Sequence, residues 1–344
     1  MNNKENLNES HTINDDEITN FINANDYAKA AERLLKLQLN MWDRLAEGYG
    51  SLATVKTKSF WFKGFKITLQ FNPGRIKSTS AKVDEESINE RECFLCVENL
   101  PVQQKGIEIL DKYLILCNPH PIFPEHFTIA LKDHHPQEIF SSFDDLVDIT
   151  KKLSGKYSVI YNGPKCGASA PDHLHFQAGT KNFMSIEDDF HNLKNEYGEI
   201  LTESSNLTLS AIDDGMRKFI ALESKDSKTL SNVFQEFYTS YSSINSNNVE
   251  PMMNIVSSYE EEYGWRIIIF LRRKHRSSHY YFEGDNRIMI SPASIDLGGV
   301  CITPVEKDFK RVDEKIIAEI FYEVSLFKEG FVYLKSALKK YFSG

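Results

Sequence analysis

The sequence predicts an α+β fold built on antiparallel sheets. Short β-rich runs bounded by turn residues recur in two long regions, one from Gly106 to Gly179 and one after about residue 208. Each region carries a helix-like run between its strands. A third helical signal precedes both, with apolar side chains at helical spacing over residues 26–47.

The 344 residues are 41% hydrophobic and 26% charged, the profile of a globular chain with enough length for a sizeable core. The net charge of −9 speaks against a nucleic-acid binder, which gains affinity by neutralising phosphates. Small anionic substrates stay open, because basic clusters can sit inside an acidic whole. No apolar run is long enough to cross a bilayer. The first twenty residues lack the basic start and apolar centre of a secretion signal, so a cytoplasmic location is expected. The cysteines are Cys93, Cys96, Cys117, Cys166 and Cys301, an odd and scattered set that reads as thiols or metal ligands rather than disulfides.

Taken in order, residues 1–20 are polar and read as a disordered tail. Residues 26–47 carry Ala30, Leu34, Leu35, Leu37, Leu39, Met41, Trp42 and Leu45 at helical spacing, an amphipathic helix. SFWFKGFKITLQF is a hairpin turning at Lys63-Gly64. RIKSTSAKVDEESINERE reads as a long loop. YLILC, HFTIAL, YSVIYN and HLHFQAG read as strands, with PQEIFSSFDDLVDITKKL as a helix between the second and third. Residues 183–208 read as a polar linker. Beyond it, MRKFIALES, GWRIIIFLRR, RIMIS and GGVCITP read as strands, and SKTLSNVFQEFYTSYSS and VDEKIIAEIFYEVSLFKEGFVYLKSALKK as helices. The resulting division is a tail (1–20), an N-terminal half (21–200) and a C-terminal half (201–344). The shared texture of the halves suggests an internal duplication that the sequence alone does not establish.

Chemistry concentrates in YNGPKCGASAPDHLHFQAG, residues 161–179. Strand alternation puts His173, His175 and Gln177 on one face and Leu174, Phe176 and Ala178 on the other. Two imidazoles and an amide in a row are costly to bury without partners. In the preceding loop Gly163 and Gly167 allow close backbone approach, and amide N–H groups with the Ser169 hydroxyl suit phosphate oxygens. Neutral imidazole is a competent nucleophile at phosphorus near pH 7 and splits one hard displacement into two. A metal held by the two histidines alone leaves Gln177 unexplained. A serine hydrolase at Ser169 fails because GASAP lacks the second glycine of G-x-S-x-G.

Two further clusters stand apart. Cys93-Phe-Leu-Cys96 is either a pair of buried thiols, a redox pair or two of the four ligands of a zinc ion. FLRRKHRSSHYYFEGD gathers Arg272, Arg273, Lys274, His275, Arg276 and His279, either a clamp for a phosphate or a solvated strand end. Gly298-Gly299 is a turn placed to close a site.

HLHFQ resembles the H-x-H-x-Q signature of the transferase branch of the histidine-triad superfamily. That branch includes galactose-1-phosphate uridylyltransferase, diadenosine tetraphosphate phosphorylase and GDP-L-galactose phosphorylase, and HLHFQA most resembles the last. The resemblance implies a histidine-triad-like α+β fold, with two such halves as an option, and a nucleophile at His175 beside His173. Gln177 would hold the nucleotidyl phosphate, and Asn162, Gly163, Gly167 and Ser169 would line its site. FNPGR, residues 71–75, resembles a segment near the nucleotide, so Arg75 is either a phosphate or sugar contact or a solvated turn residue. CNPHPIFPEHFTIALKDHHPQEI resembles the family's strand-turn-strand segment. In the uridylyltransferases a structural zinc takes two more ligands, which map to His134 and His173, with His135 the competitor for the former. The specific resemblance covers about residues 60–180. It implies a nucleotidyltransferase or phosphorylase acting on a nucleoside diphosphate sugar, with phosphate or a sugar phosphate as acceptor and no organic cofactor. The alternatives are a dinucleoside polyphosphate phosphorylase or hydrolase, and a nucleotide-binding regulator without turnover.

Overall fold

A computed structural model describes residues 11–76, 85–244 and 250–343. The hairpin forms where expected. Strands β1 (Lys56–Phe62) and β2 (Phe65–Phe71) pair antiparallel, with Phe62 opposite Phe65. The two-residue turn needs a positive φ, and Gly64 supplies it at +83°. The far strand β13 (Val300–Thr303) adds to β2 in parallel, an exception to the antiparallel expectation. The start and the end of the chain are thus stitched into one small sheet.

All other strands among the described residues belong to a ten-stranded antiparallel sheet. Its first half holds β3 (Gly106–Ile109), β4 (Tyr113–Cys117), β5 (His126–Leu131), β6 (Tyr157–Asn162) and β7 (His175–Thr180). Its second half holds β8 (Gly198–Glu203), β9 (Thr208–Asp213), β10 (Lys218–Ser224), β11 (Met253–Glu260) and β12 (Gly264–Leu271). The spatial order is β3-β4-β5-β7-β6-β11-β12-β10-β9-β8. Read outward from the β6–β11 seam, the two sets of five have the same strand order. Each also sends a helix across from its third to its fourth strand: α4 (Phe143–Lys152) and α6 (Ser227–Ser242). These helices meet through Phe143 and Phe234, whose rings stack 3.7 Å apart. They cover one sheet face with α2 (Tyr27–Met41) and α8 (Lys328–Ser343), while the small sheet, α5 (Ser185–Tyr197) and α7 (Glu314–Val324) cover the other.

Several expectations are corrected. Residues 1–10 of the expected tail lie outside the described residues, but α1 (Asp16–Asn23) is ordered by an Asp15 N-cap and buried Ile18. The 26–47 helix breaks at Trp42, whose extended backbone lets its ring enter the core and starts α3 (Asp43–Leu52). In the expected loop from Arg75 to Glu92, residues 77–84 lie outside the described residues and Glu85–Asn89 form a helical turn. The polar linker is instead α5 and β8, because Ile186, Phe190 and Leu193 recur at helical spacing within a charged run. RIMIS is irregular, not a strand, and β11 was not expected. The long C-terminal helix divides into α7 and α8 at Ser325, which bridges to Arg272. Among the described residues no helix is long and apolar enough to cross a membrane.

Candidate active site

β7 sits inside the sheet between β5 and β6, so its backbone is fixed from both sides. Phe176 and Ala178 enter the helix-covered core, as alternation predicts. His175 and Gln177 point the other way, into a cavity of about 540 Å³. The same cavity is lined by Asn162, Gly167 and Ser169 of the preceding loop, Arg75 after the hairpin, and His275 and Arg276 after β12. Residues as distant in sequence as Arg75 and Arg276 are brought together because the halves join at β6–β11.

His175 is 3% exposed and its protonation is dictated by its neighbour. Its Nδ1 lies 2.8 Å from the carbonyl oxygen of His173. A carbonyl only accepts, so Nδ1 carries the proton and Nε2 keeps its lone pair. Burial lowers the His175 pKa to about 4, so the ring is neutral near pH 7. Its backbone is held by Gln137, fully buried, whose Oε1 accepts from His175 N–H at 2.8 Å. The Gln137 amide donates to the carbonyls of His175 at 3.0 Å and Asn162 at 2.9 Å. This clamp bridges the point where β6 and β7 diverge, and the α4 helix starts only at Phe143, later than the sequence predicts.

Residues 34–180 match a family described as a domain of unknown function, DUF4922, and residues 192–343 match the GDPGP1-like C-terminal domain. The fold is shared with yeast Ap4A phosphorylase Apa2. In its complex with AMP the TM-score is 0.56 at 15% identity, covering 85% of this chain and 96% of that one. In its complex with Ap4A the TM-score is 0.54 at 15% identity, covering 83% and 97%. No curated protein sequence matches. At this level of identity the likeness to Apa2 is one of fold, and the strand β7 that carries His175 and Gln177 lies within the ten-stranded sheet between β5 and β6.

The remaining expected residues divide by role. His173 does not itself line the cavity. It lies in the turn before β7, where its ring meets Cys93 and Cys96 beside the cavity. The Cys93 and Cys96 thiols and the His134 and His173 ring nitrogens all lie within 4.8 Å of one another. His173 Nε2 donates to Leu131 O at 2.7 Å, which leaves Nδ1 unprotonated and facing the two sulfurs. His134 Nδ1 lies 3.1 Å from Cys96 Sγ. His135 is exposed and contributes only its carbonyl, to Leu174 N–H, so it is not the fourth group.

Gly163 does not line the cavity. A side chain there would meet the Met253 carbonyl at 2.8 Å, so this glycine serves the β6–β11 seam. Gly167 adopts φ +98° and packs against Ala293. Asn162 accepts with its Oδ1 from Asn254 and Ser294 and lines the cavity. Arg75 reaches the His120 carbonyl at 2.6 Å and stands near the buried carboxyl of Asp296. The basic cluster splits. Arg272 is wholly buried and braces the carbonyls of Pro292, Lys274 and His275. Arg273 and Lys274 turn to Glu323, and His279 to Glu319, while His275 and Arg276 face the cavity. Gly298 and Gly299 pack on Met184 and Ser185, away from it.

Sequence reasoning missed Gln137, His126 and Asp296. His126 Nε2 lies 2.9 Å from Gln177 Oε1. The signal for all three is weak: each is a polar residue beside an apolar run, legible only as an unexplained one.

Proposed function

We propose that this protein is a transferase that moves a nucleotidyl group by way of a covalent nucleotidyl-His175. The observation that supports it best is the fixed tautomer of His175, whose Nε2 lone pair is kept free beside Gln177 in a cavity bearing several guanidinium groups. In the first displacement Nε2 attacks the α-phosphorus of a nucleoside diphosphate sugar. The P–N bond forms as the bond to the bridging oxygen breaks, and a sugar phosphate leaves with that electron pair. In the second, phosphate or a sugar phosphate attacks the same phosphorus, the P–N bond breaks and the lone pair returns to Nε2. The His173 carbonyl holds the Nδ1 proton through both steps and stabilises the cationic ring of the intermediate, the orienting part played by a second group beside a histidine in other sites. Gln177 and Asn162 offer amide N–H groups to the phosphoryl oxygens, and Arg75 and Arg276 offset their charge.

The four grouped side chains Cys93, Cys96, His134 and His173 suit zinc: two thiols and two imidazoles, with the His173 tautomer already set for binding. Such a closed site supplies structure, with no open position for substrate. The cysteines, all unpaired and buried among the described residues, fit the reducing cytoplasm expected from the sequence.

A dinucleoside polyphosphate is the second reading, favoured by the fold likeness to Apa2 in complex with Ap4A. One experiment tests both. The protein is incubated with nucleotide sugars and with Ap4A, with and without phosphate, and examined by intact mass. Without acceptor, a nucleoside monophosphate should be retained on the peptide spanning residues 161–179, labile in acid and durable in base. Phosphate should discharge it as a nucleoside diphosphate. Two displacements predict net retention at a chiral phosphorothioate, and inversion would refute the mechanism.

A further inference from the structure

We infer that His126 is a positioning residue that aims the Gln177 amide at the phosphoryl group through a hydrogen-bond relay of fixed polarity. This rests on the nucleotidyl-transfer reading above. His126 opens β5, is wholly buried and touches no point where chemistry would occur. Its backbone is held by the Tyr49 hydroxyl, which receives the His126 N–H at 2.9 Å and donates to its carbonyl at 3.2 Å. The ring therefore sits on a rigid mount, packed edge-on against Phe123.

The relay begins at the backbone. The Ile122 N–H lies 3.2 Å from His126 Nδ1. A backbone N–H only donates, so Nδ1 is the unprotonated nitrogen. A neutral ring then carries its single proton on Nε2, which lies 2.9 Å from the Gln177 side-chain oxygen. A doubly protonated ring is disfavoured, because burial and the nearby Arg75 guanidinium lower the His126 pKa to about 3. Gln177 must therefore turn its Oε1 to His126. Its NH2 group makes no hydrogen bond within the described residues and is left for the cavity that Gln177 lines. With the amide reversed, its oxygen would face the phosphoryl oxygens and repel the charge that builds there. The Ile122 N–H thus sets the sign of the dipole offered to the substrate, two hydrogen bonds away.

Two measurements test the relay in the full-length protein. With ¹⁵N-labelled histidine, NMR should show His126 as the Nε2–H tautomer across pH 6 to 8. The Nδ1–H tautomer would overturn the proposal, and this arm needs no variant. The second arm follows single-turnover nucleotidylation of His175, using nucleoside diphosphate glucoses and Ap4A as probes. His126→Asn retains an acceptor near the Nδ1 position but cannot reach Gln177, whereas the longer amide of His126→Gln can donate to it. His126→Asn should slow transfer about tenfold or more while leaving probe affinity nearly unchanged, and His126→Gln should recover most of that loss. In a Gln177→Ala background, His126→Asn should add almost nothing, because its only route to the phosphate has gone. Additive losses in a protein that does form nucleotidyl-His175 overturn the relay and leave the transfer reading standing. A wild-type protein that takes no nucleotidyl group from any probe overturns both.

Discussion

Replacing Gln137 by leucine should cost stability far out of proportion to the change in size. The side chain is wholly buried and makes three hydrogen bonds, two to the backbone of His175 and one to the carbonyl of Asn162. Leucine fills nearly the same volume, so little cavity forms. It leaves one N–H and two C=O groups without partners at the divergence of β6 and β7, where His175 and Asn162 are at most 5% exposed. An unsatisfied buried polar group costs about 1–3 kcal/mol, and local relaxation recovers part of it, so a loss of roughly 3–5 kcal/mol is expected. Urea unfolding followed by circular dichroism measures it, and the slope of the transition shows whether the denatured state has changed. Transfer to His175 should fall as well, because the strand that carries the proposed nucleophile loses its lateral anchor. A loss below about 0.5 kcal/mol, the scatter of ordinary surface substitutions, would refute the clamp.

His175→Ala should abolish nucleotidyl transfer, since no neighbouring group can replace Nε2, and retained turnover at a tenth of wild type or more would remove the assignment. About one zinc per chain is expected by elemental analysis, and Cys93→Ser with Cys96→Ser should lose it and lower the melting temperature. Phe94 and Leu95, which lie between the two thiols, line the cavity, so the same double variant should also weaken nucleotide binding. Unchanged metal content would exclude the site. Glu187 is buried beside Ser158, with one carboxyl oxygen lacking any partner, and burial raises its pKa to about 7. The folded state therefore holds the proton more tightly than the unfolded chain, so this contribution is full below the ordinary Glu value and fades as pH rises to about 7. Glu187→Gln should flatten that slope and gain on the order of 3 kcal/mol relative to wild type at pH 8. Parallel pH profiles for the two proteins would count against it.

Local chemistry made much of this protein legible before any coordinates. The hairpin at Lys63-Gly64, strands β4, β5 and β6 and helix α6 follow from turn residues and apolar spacing, which act over a few residues. The H-x-H-x-Q run marked His175 and Gln177 for the same reason, because a strand's two faces are written in its alternation. Long-range contacts decided what that alternation could not. Trp42 breaks a helix its neighbours favour, since a buried ring outweighs the modest propensity of one turn. His173 joins the cysteine cluster rather than the cavity lining because its nitrogens find Leu131, Cys93 and Cys96, none adjacent in sequence. Gln137 and His126 read as ordinary polar residues until β5, β6 and β7 lie side by side. A buried donor or acceptor must find its partner wherever the fold brings one, and which partner that is appears only when strands distant along the chain are in register.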